Sequence, residues 1–235
     1  MTERTLTTQP ELVLFDLDDT LCDYAGARAR RLRRAFEQAA AHAGARLPDD
    51  LEPMIAESIA IHPHGTEHFR DVLERYGITG EGAVLAAREW YATNRFHSLA
   101  LFPDAVETLT SVRRARPDRR IGMITNGPSE VQRAKIELLA IEAHVDFILV
   151  SEEFGAWKPD PSIFAEALRL GGAEPASAIF IGDSAEHDMA GARAAGIDAV
   201  WMNPAGRPWS SPPPAPRYIV SSLAEVRALL GAAVR

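Results

Sequence analysis

Six short runs of aliphatic and β-branched residues recur along the chain, at 12–15, 121–125, 147–150, 178–181, 199–202 and 218–220. Each is apolar at consecutive rather than alternate positions, the pattern of a strand buried on both faces, as in a parallel sheet. Between the later runs, apolar residues fall at helical spacing over 104–115, 129–141, 161–170, 186–195 and 223–233. Strand alternating with helix predicts an α/β fold, a doubly wound parallel sheet covered by helices on both faces.

One interval breaks the alternation. From Leu21 to Leu99 the chain carries Ala- and Arg-rich helical stretches punctuated by Pro48, Pro53 and Pro63, with no convincing strand. This predicts a helical domain inserted directly after the first strand. The expected division is a tail over 1–10, a discontinuous core over 11–21 and 99–235, and an inserted cap over 22–98. The stretch 203–216 holds six prolines, which suits an extended, polyproline-like surface connection.

Composition narrows the class. Against 33 acidic side chains stand 25 basic ones, a net charge of −8. Affinity for a phosphate backbone comes from clustered Lys and Arg, so no nucleic-acid partner is expected. Cys22 is the only cysteine, which rules out an intramolecular disulfide and a Cys-rich zinc site. The first ten residues lack the apolar core of a secretory signal, and no apolar run approaches the roughly 18 residues of a membrane span. A cytoplasmic protein with no membrane partner, a monomer or homodimer, is the expectation.

Chemistry-bearing residues gather where the strands end. Asp16 and Asp18 directly follow the first strand, and side chains two apart on an extended chain face the same side. The second strand ends in Thr125-Asn126-Gly127, which offers a hydroxyl and two backbone N–H groups before a helix start. Lys158 follows the third strand, and the fourth ends in Gly182-Asp183, with Asp188 five residues further on. Each is a weak signal alone. Ligands of open α/β sheets bind at the carboxyl ends of strands, so together they assemble carboxylates, a hydroxyl and an ammonium around one pocket.

In order and wording these segments resemble the haloacid dehalogenase superfamily, whose four motifs match Asp16-Leu-Asp-Asp-Thr20, Thr125-Asn-Gly127, Lys158-Pro159 and Gly182-Asp-Ser-Ala-Glu-His-Asp188. The wording is most similar to the branch that holds nucleotide and N-acylneuraminate phosphatases. The resemblance implies a Rossmann-like core with a helical cap, and a phosphatase that hydrolyses a small phosphorylated metabolite with Mg²⁺. It assigns Asp16 as nucleophile, forming an aspartyl phosphate, and Asp18 as the acid and base for leaving group and water. Thr125, Asn126, Gly127 and Lys158 would bind the phosphoryl group. Asp16, the Asp18 backbone carbonyl and Asp183 would hold the metal, with Asp188 in support. The separation of 107 positions from Asp18 to Thr125, against 25 from Lys158 to Asp183, puts the cap at the first of the family's insertion points, from where it would close over substrate and set selectivity.

The family also contains phosphomutases and 2-haloacid dehalogenases, and receiver-like signalling proteins hold a phospho-aspartate without turning it over. An acid two residues after the nucleophile suits phosphate esters and argues against dehalogenation. It also argues against a passive receiver.

Other features carry bland expectations. Cys22 and Arg28 have the C-x₅-R spacing of cysteine phosphatases, but the intervening residues suit a phosphate loop poorly. His62, His64 and His68 read as polar surface, and the five arginines between Arg28 and Arg34 as an ion-paired helix face. Trp90, Tyr91, Arg95 and Phe96 are candidates for a specificity pocket or for the insertion's own core.

Overall fold

The computed structural model describes residues 6, 9–62, 64–210 and 214–232. Contacts divide the chain into two compact units, one formed by the residues up to Asp23 and from Ala100 onward, the other by Tyr24–Leu99. Pro63, residues 211–213 of the proline-rich connection, most of the tail and Ala233 lie outside the described residues.

The first unit is built on a six-stranded parallel sheet: β1 (Leu12–Phe15), β2 (Arg120–Thr125), β3 (Phe147–Val150), β4 (Ala178–Gly182), β5 (Asp198–Met202) and β6 (Tyr218–Val220). The spatial order is β3-β2-β1-β4-β5-β6. All six strands fall where the apolar runs predict them, within a residue at each end. β1 is central, every residue 0 % exposed, and pairs Phe15 with Met123 on one side and with Ile181 on the other. The Asp16 N–H extends that ladder to the Ile181 carbonyl at 2.9 Å. Strand order reverses beside β1, so the carboxyl ends of β1 and β4 open a crevice between them.

Helices of this unit are α5 (Ala105–Ala115), α6 (Ser129–Leu139), α7 (Ser151–Phe154), α8 (Pro161–Gly171), α9 (Ala190–Ala194) and α10 (Leu223–Leu229). Two depart from the sequence reading. α6 stops two residues early because Ala140 turns left-handed (φ 49°), and Ile141–His144 form a separate short turn. The expected helix over 186–195 begins as a wide π turn, Ala185–Met189, before α9. Periodicity does not reveal it, because Ser184 makes it locally: its carbonyl accepts from both Asp188 N and Met189 N, and its Oγ accepts from His187 N. Such insertions redirect the side chains that follow, and they concentrate at functional sites.

The second unit holds α1 (Tyr24–Ala43), α2 (Glu52–Ile61), α3 (Phe69–Arg75) and α4 (Glu81–Thr93), with no strand among its described residues. α1 buries Leu32, Ala35, Phe36, Ala39 and Ala40 along one stripe, the 3.6-residue period of an amphipathic helix. These pack with Phe69 and Tyr91, whose rings meet edge to face at 5.4 Å, as do Phe36 and Phe69 at 5.5 Å. Tyr91 therefore belongs to this unit's core, and Trp90 packs against it. Arg33 pairs with Glu52, Arg34 with Glu37, and Arg31 lies over the Tyr91 ring. His68 is buried against Ser58 Oγ at 2.6 Å, while the His62 ring accepts backbone N–H bonds from His64 and Gly65.

Candidate active site

The site residues Asp16, Asp18, Thr125, Lys158, Asp183 and Asp188 all belong to the first unit. Asp16 leaves β1 7 % exposed and meets Lys158 Nζ at 2.6 Å. The same ammonium lies 2.7 Å from Asp188 Oδ1 and donates to the Ile124 carbonyl at 3.0 Å. It is also 5.4 Å from the centre of the Phe180 ring. A lysine buried among sheet residues is thus held by two carboxylates and the end of β2.

Asp188 reaches the cluster through the π turn, and its Oδ2 accepts the Ser184 N–H at 3.0 Å. The approach is so close that a Cβ on Gly182 would stand 2.3 Å from that oxygen, so the fourth strand has to end in glycine. Asp183, next in the chain, is fixed from behind by the Trp201 indole, whose Nε1 donates to its carbonyl at 2.8 Å.

Asp16, Asp183 and Asp188 form the one cluster of three possible metal ligands among the described residues, each offering an oxygen within 4.8 Å of the others. Burial pushes the Asp16 carboxyl well above the ordinary carboxylate range, and Asp188 and Asp18 push the same way against Lys158. Asp183 is raised to about 7 by burial, then by the neighbouring charges of Asp188 and Asp19. Burial works against the Lys158 charge, but Asp16 and Asp188 overcome it and hold its pKa upward. Three carboxylates against one ammonium leave two negative charges in a confined, partly dry space. Hard oxygen donors with that deficit fit a divalent cation such as Mg²⁺.

The β2 end is equally specific. Thr125 is 1 % exposed and its Oγ1 has no hydrogen-bond partner, a costly arrangement of about 1–3 kcal/mol that a ligand oxygen would relieve. Asn126 spends its side chain on the Lys158 backbone: Oδ1 accepts from Lys158 N and Nδ2 donates to Lys158 O, both at 2.9 Å. It thereby ties the lysine segment to β2. Gly127, expected to offer its N–H to phosphate, donates it to Ser151 Oγ at 3.0 Å. The hydroxyl that closes this turn comes from α7, which sequence patterning misses.

Asp18 points elsewhere than the metal cluster. Its Oδ2 lies 2.7 Å from Lys135 Nζ and 3.5 Å from Gln132 Nε2, and its Oδ1 accepts from Cys22 Sγ at 3.6 Å. The metal role expected for Asp18 involves only its backbone carbonyl, and its side chain is engaged by Lys135. Lys135 and Gln132 were missed by sequence reading. The signal was present: both lie on the buried stripe of α6 with Ile136 and Leu139, where a polar residue has to have a partner. Cys22 is buried, and burial together with Asp18 pushes its thiol far from thiolate formation, which removes the cysteine-phosphatase reading. The histidines form no cluster of three possible ligands among the described residues.

The parallel sheet thus carries buried carboxylates and a buried ammonium at its switch point, where ligands of open α/β sheets bind. Residues 10–196 match the family profile of haloacid dehalogenase-like hydrolases, and the chain belongs to that family. It is 32 % identical over 232 residues to N-acylneuraminate-9-phosphatase of Mus musculus, covering 93 % of this chain and 92 % of that one. It is 34 % identical over 197 residues to glyceraldehyde 3-phosphate phosphatase of Methanopyrus kandleri, covering 80 % and 82 %. Among solved structures it resembles the HAD-hydrolase YfnB of Bacillus subtilis bound to magnesium, with TM-score 0.70, 25 % identity and coverage of 95 % and 99 %. The chain is a phosphatase of this family.

Proposed function

We propose that this phosphatase hydrolyses a small phosphorylated metabolite in a Mg²⁺-dependent reaction that passes through an aspartyl phosphate on Asp16. The observation that carries the reading is the Lys158 ammonium, 2.6 Å from Asp16 and 2.7 Å from Asp188, inside a carboxylate cluster that lacks two positive charges.

The chain's own residues divide the work. Asp16 attacks phosphorus, and the bond to the leaving oxygen breaks, splitting one difficult displacement into two easier ones. Lys158 holds the attacking carboxylate in place and offsets charge on the transferring group. Asp16, Asp183 and Asp188 would hold Mg²⁺, which when bound supplies the charge neutralisation that lets an anion approach an anion. The Thr125 hydroxyl donates to a phosphoryl oxygen. Asp18 gives a proton to the leaving oxygen and then takes one from the water that cleaves the acyl phosphate, a role worth about 10²–10⁴-fold.

The test is Asp16→Asn assayed for free phosphate over a panel of phosphate monoesters with Mg²⁺, alongside wild type. Complete loss in a folded variant is expected. Turnover by the variant, or interconversion of sugar-phosphate isomers in place of phosphate release by wild type, would reject the proposal.

A further inference from the structure

One cation at the site is far more exposed than the others. Lys158 and a divalent ion together match the three charges of Asp16, Asp183 and Asp188. Asp19 adds a further carboxylate charge near Asp183, and Arg207 faces the same residue, with Nη2 3.9 Å from Asp183 Oδ2 and 3.4 Å from the Asp183 carbonyl. Both contacts are too long to be good hydrogen bonds. Whereas the side chains of Lys158 and Lys135 are 3 % exposed, that of Arg207 is 56 % exposed. A planar guanidinium with most of its donors unspent is suited to take an oxyanion two-handed.

The loop that presents it is closely built. Asn203, 6 % exposed, follows β5, and its backbone N–H donates to the Val220 carbonyl at 2.7 Å. Its side chain then brackets Arg207: Nδ2 donates to Arg207 O at 2.8 Å and Oδ1 accepts from Arg207 N at 2.9 Å. Gly206 supplies the left-handed turn (φ 63°) that brings the chain round. The guanidinium carbon sits 5.9 Å from the centre of the Trp201 ring, and the indole of that same residue anchors Asp183. Trp209 packs edge to face on Trp201 at 5.2 Å. Backbone position and side-chain direction are therefore both held toward the β4 end.

We propose that Arg207 is a specificity residue that binds a second acidic group of the substrate, so that the preferred phosphate monoesters carry a carboxylate or a further phosphate. The proposal rests on the phosphatase reading above. Strand spacing fixes its reach. β1 and β5 flank β4, about 10 Å apart at the strand axes, and the Arg207 side chain leans back toward β4. A phosphate at Asp16 and an acid at Arg207 are then bridged by a short carbon chain.

The experiment compares kcat/KM for 3-phosphoglycerate, a three-carbon bisphosphate and glycerol 3-phosphate in wild type, Arg207→Gln and Arg207→Lys, each with saturating Mg²⁺. In wild type the acidic esters are expected to be preferred over the neutral one. Arg207→Gln should lower the acidic-to-neutral ratio about tenfold or more, chiefly through KM, with Arg207→Lys between the two. Which acidic ester shows the larger drop identifies the second group as carboxylate or phosphate. An unchanged ratio, or an equal loss on all three esters with weakened Mg²⁺ binding by thermal shift, would mean that Arg207 only supports Asp183, and the inference fails alone. No phosphate release by wild type from any monoester would overturn the phosphatase reading and this inference with it.

Discussion

Lys135 Nζ lies 2.7 Å from Asp18 Oδ2, the ammonium side chain 3 % exposed and the carboxylate 23 %. The pair links α6 to the loop after β1, and Gln132 ties the same helix to the end of β2 by donating to the Asn126 carbonyl at 2.7 Å. Groups in such contact should be energetically coupled. A double-mutant cycle of Asp18→Asn and Lys135→Met, followed by urea unfolding, is expected to show a coupling of about 1–3 kcal/mol. Additive effects would mean that the contact has no energetic weight.

The assignment of Asp18 as acid and base makes a separate kinetic prediction. Asp18→Ala should lose far more activity toward alkyl phosphates than toward p-nitrophenyl phosphate, whose leaving group needs little protonation. Parallel losses on the two substrates would contradict the role.

Thr125 separates binding from folding. Its Oγ1 is buried without a partner, so Thr125→Val removes no hydrogen bond from the free protein. Thermal stability is expected to stay the same or rise slightly, while kcat falls about 10²–10³-fold, the usual cost of deleting one donor to a charged transition state. A variant that is destabilised yet fully active would refute this.

Proton and metal should compete at Asp183. In the folded chain its carboxyl is raised to about 7, by burial first and then by Asp188 and Asp19, whereas the unfolded chain ionises near 3.8. Because the folded state keeps a proton that the unfolded state has released, this group's contribution to stability is fully present below about pH 4 and is lost as pH rises through about 7. Metal-free protein should therefore be less stable at pH 8 than at pH 5.5, and the gain in melting temperature on adding Mg²⁺ should be larger at pH 8. On the acid side Glu153, held down to about 2 by Arg133 and Ser129, acts in the opposite sense and loses its contribution as pH falls below the usual glutamate range. Calorimetry at the two pH values, with and without Mg²⁺, checks the first claim, and equal Mg²⁺ gains would sink it.

Much of the fold was legible because burial on both faces writes itself into sequence. A strand such as Leu12–Phe15 has to be apolar throughout, and the helices between strands carry one apolar stripe each. α7 and the π turn at Ala185–Met189 were not legible. Four residues are too few for a period, and the turn is made by Ser184 hydrogen bonds that no apolar pattern encodes. The long insertion was readable as helical, and its aromatic residues were placed only once Phe36, Phe69 and Tyr91 met.

The sequence by itself determined the chemical inventory: carboxylates, a hydroxyl and an ammonium at the ends of four strands, in an order that resembles one superfamily. That follows because local backbone geometry puts strand-end residues at one edge of a parallel sheet. Tertiary structure decided the partners. It brought Asp188 to Lys158 across the π turn, spent Gly127 on Ser151, turned Asp18 to Lys135, and set Arg207 beside Asp183. Those pairings join residues up to 117 positions apart, as in Asp18 and Lys135. Buried charge forces each to find an opposite, and only the packed chain determines which one is within reach.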